Sequence, residues 1–213
     1  MGTRGAWGFV LAGQEKIMYN HYDSYPDGLG QQLLDWLRGA LGLPSTVEER
    51  LIALDKGEKP TVDPAKETKL RQRVMALSAV PDREPTYAEQ VKYEAYSDAD
   101  VSTGRDWYSV LRHTQGDPAK VLEAGLYEPN LDFPLDSLFC EWGYVIDLDM
   151  RQFEVYEGFR TRPTTAGRWA GRSPGSRAPL GETYFPIELV ASYGFDELPE
   201  LDLEVALQGK VQQ

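Results

Sequence analysis

Residues 142–156 read WGYVIDLDMRQFEVY and carry the strongest strand signal in the chain. Aromatic and β-branched residues fill both halves of this stretch, and residues 149–151 between them form a short polar turn. Apolar side chains alternate onto both sides, since Tyr144 and Ile146 would face one way and Val145 the other. The stretch therefore predicts a β-hairpin in a sheet that is covered on both faces.

The N-terminus predicts a second hairpin of the same kind. Extended patterns run over residues 4–11 and 16–22, and Gly13 and Gln14 between them supply the turn. Both faces again carry apolar side chains. We expect the two hairpins, although far apart in the chain, to join into one sheet shielded by helices on either side.

Helical periodicity covers most of the remaining chain. Leucines recur on one stripe between residues 29 and 41, and a capping box of Ser45 and Glu48 begins the next helix. Further helices are predicted at 65–80, 86–96, 106–114 and 118–124, and a last strand at 185–193. The pattern indicates a single α+β domain over residues 1–213, with a mostly antiparallel sheet and helices on both faces.

The composition excludes several classes of function. The chain has 213 residues and a formal net charge of -12, which disfavours general nucleic-acid binding. The single cysteine, Cys140, allows neither an intramolecular disulfide nor a thiolate metal cluster, and no cofactor is predicted. No apolar run reaches the roughly eighteen residues of a membrane span, so we predict no membrane contact and a cytoplasmic location, in the host if the protein is phage-encoded.

The densest cluster of reactive side chains is at Asn20, His21, Asp23 and Ser24. His21 could act as a general base that Asp23 orients, and Ser24 is the nearest hydroxyl. The alternative is that these polar groups satisfy the end of the strand and cap the turn that follows. A metal site that adds the aspartates of the 142–156 hairpin is the weaker hypothesis, because aspartates beside a turn usually serve the turn.

Residues 161–181 change in character and are rich in Gly, Pro, Ser, Thr and Arg. We expect a long mobile loop. Arg168 and Arg172 offer forked donors for a phosphate, and Trp169 could stack on a base or a sugar. The alternative is a solvated insertion whose positive charge balances the acidic body.

The N-terminal motif resembles that of a widespread family of uncharacterised proteins from bacteria, their phages, large DNA viruses and some fungi. The likeness rests on MGTRG at residues 1–5, GF at 8–9 and YNHYDSYPDGLG at 19–30. It is echoed by EWGYVIDLD at 141–149 and FEVY at 153–156. The resemblance implies a shared fold and a shared site without naming a reaction.

A looser likeness is to the N-terminal-nucleophile (Ntn) hydrolases. Their N-terminal hairpin is followed by an Asn-x-x-Asp element, which Asn20 and Asp23 match, and a later strand–turn–strand is similar to their linear-amide branch. The likeness implies a four-layer αββα sandwich, with Asn20, His21 and Asp23 lining a pocket beside Thr3 and Arg4. Those enzymes use an N-terminal Cys, Ser or Thr, so Thr3 would act only after a cleavage that exposes it.

Two functions remain open from the sequence. The first is an Ntn-like hydrolase, or a derivative of one, that acts on an amide or another small molecule. The second is a non-catalytic binding protein, directed at a host factor or at a small anionic or nucleotide ligand through its acidic body or its arginine-rich loop.

Overall fold

The structure of the protein is a computed structural model that describes residues 2–95, 106–175, 181 and 183–208. The predicted helix end at residue 96 and residues 176–180 of the arginine-rich loop lie outside these ranges. The described strands are β1 (Gly5–Leu11), β2 (Gln14–Asn20), β3 (Ser78–Ala79), β4 (Leu126–Tyr127), β5 (Trp142–Asp147), β6 (Gln152–Glu157) and β7 (Glu188–Gly194).

Five of the strands form one mixed sheet in the order β2-β1-β5-β6-β7. The two predicted hairpins are β1–β2 and β5–β6. They join through parallel pairing of β1 with β5, in which Trp7 lies opposite Tyr144. All other neighbours in this sheet are antiparallel. The predicted α+β class with a mostly antiparallel sheet is therefore confirmed.

The tips of the two hairpins are tied to each other. Ala12 and Gly13 both have positive φ, 52° and 70°, as a two-residue type I′ turn requires. The carboxylate of Asp149, in the turn after β5, accepts hydrogen bonds from the backbone N–H groups of Ala12 and Gly13 at 3.0 and 2.9 Å. These bonds hold the pKa of Asp149 below its usual value and serve the turn, as the alternative to a metal site predicted.

The described helices are α1 (Gln31–Leu41), α2 (Val47–Asp55), α3 (Pro64–Ala76), α4 (Tyr87–Glu94), α5 (Trp107–Leu111), α6 (Pro118–Ala124) and α7 (Leu203–Gln208). The first begins two residues later than predicted, because Pro26–Gly30 forms a separate turn. The N-cap of α2 is Thr46 with Glu49 as its capping-box partner, one residue later than the predicted pair of Ser45 and Glu48.

One face of the sheet packs against helices α1, α3, α6 and α7. The predicted leucine stripe of α1 is fully buried there, at Leu33, Leu34, Leu37 and Leu41. Each such leucine contributes about 1.5–3 kcal/mol of burial free energy. This face holds the main core and fixes the position of β1 and β2.

The opposite face is covered by irregular chain, which corrects the prediction of helices on both faces. Its apolar cluster includes Val145 of the sheet with Cys140, Trp169 and Ile187 from connecting segments. The only helical element in this described cluster is a single 3₁₀ turn at Phe133–Leu135. The backbone of these segments is satisfied by bonds of their own, such as Ile187 N–H to the Pro134 carbonyl at 2.9 Å.

A four-layer αββα sandwich needs two large sheets stacked face to face. The described residues contain one five-stranded sheet and one ladder of two two-residue strands, β3 and β4, so they form no such sandwich. None of the helices in the described part of the chain is long and apolar enough to cross a membrane.

Candidate functional site

The predicted corner at the end of β2 is built around Asn20 and Ser24. Both are buried, and the Asn20 amide donates to the Ser24 hydroxyl at 2.8 Å and to the Tyr22 carbonyl at 2.5 Å. The Ser24 N–H bonds the Thr3 carbonyl at 3.2 Å, and the Ser24 carbonyl accepts from the Tyr144 hydroxyl at 3.0 Å. These polar groups satisfy one another and hold the turn in place.

The corner is so close to β1 that a side chain would not fit at Gly5. A Cβ at Gly5 would lie 2.7 Å from the Ser24 Cβ and 2.6 Å from the Trp142 carbonyl oxygen. The glycine of the N-terminal motif therefore allows a close approach between strand and turn. This position has an architectural reason for its residue type.

Of the other predicted catalytic residues, Thr3 reaches the corner through its backbone carbonyl, which accepts from the Ser24 N–H. His21 and Asp23 are exposed, and the His21 Nδ1 lies 2.8 Å from the Tyr19 hydroxyl rather than near Asp23. Asp23 adopts φ 54°, a conformation that aspartate tolerates in turns. Thr3 is buried, and the Arg4 guanidinium lies over the Phe139 ring at 4.8 Å. The catalytic roles proposed for these residues stay predictions.

Part of the arginine-rich loop packs against the sheet. Among its described residues, 161–175 and 181, Thr164 and Trp169 are buried and Arg168 is half-buried, while most of the others are exposed. The mobility of the loop stays a prediction. Arg168 donates to Glu154 at 2.9 and 2.8 Å and to Asp147 at 2.8 Å, and it lies 3.5 Å from Glu15. Burial lowers the pKa of Arg168, but its bonds to Glu154 and Asp147 outweigh that and raise the pKa overall. We call Arg168 and these three carboxylates the Arg168 cluster.

The other two ligand-binding candidates of this loop are also engaged within the protein. Trp169 is 1% exposed and meets the Tyr156 ring edge to face, with the centroids 4.5 Å apart. The Arg172 guanidinium lies 3.5 Å from the Glu15 carboxylate. The indole is therefore not available to stack on a base or sugar, because the loop uses it to cover the second face of the sheet.

A cavity of about 290 Å³ lies at the outer edge of β2. Residues from the sheet, from α5 and the turn after it, from α6, and from the chain that follows α6 form its wall; we call it the β2-edge cavity. Its lining residues are Trp7, Met18, Tyr19, Tyr108, Leu111, Thr114, Gln115, Val121, Tyr127, Glu128, Asn130 and Phe133. The volume is near the lower end of the range for small-molecule pockets, roughly 300–1,000 Å³.

The edge of β2 supplies backbone groups to this region. In the pairing of β1 with β2, Glu15, Ile17 and Tyr19 occupy the positions whose N–H and C=O groups point away from β1. The Ile17 carbonyl accepts from the Asn130 N–H at 2.8 Å, which joins the cavity wall to the strand. The cavity is thus placed where an edge strand meets a covering segment.

Trp7 provides an unused polar group in the cavity wall. Its side chain is 1% exposed, and its indole N–H has no acceptor among the described residues. A buried donor without an acceptor costs about 1–3 kcal/mol. The Trp7 N–H is therefore a polar group next to the cavity that the described protein contacts leave unused.

Three titratable groups of the wall have shifted pKa values, and for Tyr127 burial raises the pKa. Burial, with the nearby Tyr108, raises the pKa of Tyr19, so this hydroxyl remains protonated and serves as a donor or acceptor rather than as a base. Burial, with the nearby carboxylate of Asp106, raises the pKa of Glu128. The cavity wall contains no lysine, arginine or histidine among its described residues.

Sequence patterns did not identify this cavity. Its aromatic residues come from five separate segments of the chain, and each one has an ordinary local role in a strand, a helix or a loop. Tyr19, immediately before the predicted corner, is the one wall residue that the sequence placed near a site.

Comparison with protein-family models, with curated proteins and with solved structures finds no match to this chain.

No group of three or more His, Cys, Asp or Glu side chains with metal-site geometry occurs among the described residues. Asp147 is held by Arg168 at 2.8 Å and accepts from the Met150 N–H at 2.8 Å, while Asp149 caps the first hairpin. The aspartates of the β5–β6 hairpin are therefore bound by protein groups.

Proposed function

We propose that this protein binds a small organic molecule, without transforming it, in the β2-edge cavity. The observation that carries the proposal is the cavity itself, which five aromatic side chains line; one of them is Trp7, whose buried indole N–H lacks an acceptor in the described structure. Satisfying it would recover much of the cost of its burial. The same argument does not apply to the Asn20–Ser24 corner, whose polar groups bond one another.

The wall indicates what such a molecule is like. Five aromatic side chains (Trp7, Tyr19, Tyr108, Tyr127 and Phe133) favour a ligand with an apolar or aromatic body and one acceptor atom. An anionic or nucleotide ligand is less suited to this cavity, because Glu128 is the only charged residue among the described wall residues. The arginines first considered for an anion, Arg168 and Arg172, already pair with carboxylates.

The hydrolase hypothesis keeps one supporting observation. Tyr19 is a wall residue of the cavity, and its hydroxyl lies 2.8 Å from the Nδ1 of His21. A ligand in the cavity would thus lie near a histidine that could shuttle a proton. Hydrolysis of an amide by the purified protein, abolished in His21→Ala without a change in melting temperature, would favour this function over simple binding. Membership of the uncharacterised protein family and a cytoplasmic location also stay predictions.

The proposal is tested with prodan, a neutral fluorescent naphthalene whose carbonyl group is a hydrogen-bond acceptor. We expect saturable binding with a Kd on the order of 100 µM or tighter, given about 0.3 kcal/mol for each non-hydrogen atom. Gln115→Trp places a large side chain in the cavity wall and should abolish binding. Gln32→Trp, on the exposed side of α1, is the matched control and should bind normally.

Absence of saturable prodan binding, or equal binding by the two tryptophan variants, would reject the cavity as the ligand site. Thermal melts of both variants check that Gln115→Trp still folds. As a second variant, Trp7→Phe removes the indole N–H while keeping an aromatic side chain, and it should weaken prodan binding by about tenfold.

A further inference from the structure

We infer that the ligand of the β2-edge cavity carries a positively charged nitrogen, so that the cavity is a site for an organic amine. This inference rests on the proposed function and names the class of molecule for the same site. It follows from three properties of the wall: its ring content, its single carboxylate and its lack of cationic side chains.

Aromatic rings surround the cavity on several sides. Tyr19 meets the Phe133 ring edge to face, with centroids 4.8 Å apart, and lies 6.4 Å from the Tyr108 ring. Trp7 and Tyr127 complete the set. The negative faces of aromatic rings attract ammonium groups, and cages of such rings recognise amines and quaternary nitrogen compounds.

Glu128 adds a negative charge to this wall. Its side chain is partly buried and forms no ion pair with any described residue. Asp106 lies close enough to raise the pKa of Glu128, and the Ser109 N–H, which donates to Asp106 at 2.6 Å, helps keep Asp106 ionised. Two carboxylates thus bias this side of the cavity toward a cation.

Lys16 lies near the wall but forms no ion pair with Glu128 among the described residues. Lys16 reaches Leu77 on the helix-covered side of the sheet, where its ammonium bonds the Leu77 carbonyl. It lies 6.0 Å from the centroid of the Tyr127 ring, yet it is not a wall residue. Tyr127 therefore already contacts one cation from outside the cavity, and the cavity itself has room for a second.

The test compares tyramine, which is protonated at pH 7.5, with tyrosol, which has nearly the same shape and no charge; the phenol oxygen of both compounds can accept a hydrogen bond. Isothermal titration calorimetry should show at least about tenfold tighter binding of the amine. Glu128→Gln should lower this preference by about fivefold or more. Glu123→Gln, on the exposed face of α6, changes the net charge equally and should leave the preference unchanged.

A second variant, Glu128→Asp, keeps the charge and should retain part of the preference for the amine. It provides a test of the charge even if Glu128→Gln fails to fold. Equal affinity for the two compounds in the natural protein would overturn the inference while leaving the proposed function intact, provided that prodan still binds. A preference that Glu123→Gln lowers as much as Glu128→Gln would also overturn it, since the effect would then come from the overall negative charge. Failure of all three compounds to bind would reject both proposals.

Discussion

The Arg168 cluster and the β2-edge cavity lie on the same sheet but differ in whether their polar groups have partners within the protein. In the cluster, one guanidinium faces three carboxylates and donates to two of them at 2.8–2.9 Å. In the cavity, the Trp7 N–H has no described acceptor and Glu128 has no described ion-pair partner. The comparison teaches that charge density alone does not identify a site; polar groups without partners in residues that line a cavity are the stronger indication.

Removing the charge of Arg168 tests the first half of this comparison and should cause the largest loss in the free energy of unfolding. In Arg168→Met, Asp147 and Glu154 would face each other without a cation, and Glu15 would keep only Arg172. The Arg168 side chain is 15% exposed. Breaking a buried ion pair costs about 3–5 kcal/mol. Urea unfolding should show a loss at or below the lower end of that range, because some solvent reaches the cluster.

The control for that variant is Arg172→Met, whose arginine is 43% exposed and lies 3.5 Å from Glu15. An exposed pair of this kind contributes at most about 1 kcal/mol. Prodan should bind folded Arg168→Met as it binds the natural protein. Equal stabilities of the two variants, or loss of prodan binding in both, would mean that the loop serves a ligand rather than the sheet.

The Asn20–Ser24 corner is the next test, because the sequence made it the leading candidate site. Asn20→Ala would leave the buried Ser24 hydroxyl and Tyr22 carbonyl without their partner, at a cost of about 1–3 kcal/mol in the free energy of unfolding. Asp23→Asn, which keeps a residue tolerant of positive φ, should change stability by less than about 0.5 kcal/mol. A stable Asn20→Ala protein with altered ligand binding would restore the corner as a site.

Features that depend on a local sequence signal were predictable, and features that depend on residues far apart in the chain were not. Strand alternation and turn residues act locally, so both hairpins and the stripe of α1 were predictable from residues 142–156 and the N-terminus. The cover on the second face was not, because Trp169 and Ile187 are isolated apolar anchors in irregular chain, without the periodicity of a helix. A two-sided apolar strand requires a cover but does not specify its secondary structure.

The cavity was out of reach of sequence patterns for a related reason. Trp7 belongs to a buried strand, and nothing in that strand shows that its N–H lacks an acceptor. Glu128 follows a two-residue strand and is one of 34 acidic residues in the chain. Only the fold brings such residues into one wall. Asn20 and Ser24, by contrast, lie only four residues apart in the sequence, which made them a visible candidate cluster.

The smallest expected effect concerns the acid–base behaviour of Glu128 and sharpens the comparison at the cavity. The pKa of Glu128 in the folded protein is raised above the ordinary value of 4.5. The stability that protonated Glu128 contributes is therefore fully present below pH 4.5, and it is lost as the pH rises through the folded pKa. The stability of Glu128→Gln relative to the natural protein should therefore increase from pH 4 toward pH 8, by less than about 1 kcal/mol because the group is partly solvated. With saturating tyramine the difference should reverse, since the bound ammonium makes the ionised carboxylate favourable. The difference in the free energy of unfolding is measured with urea. If it does not change with pH, ionisation of Glu128 does not destabilise the folded protein, and the cavity has no unpaired charge.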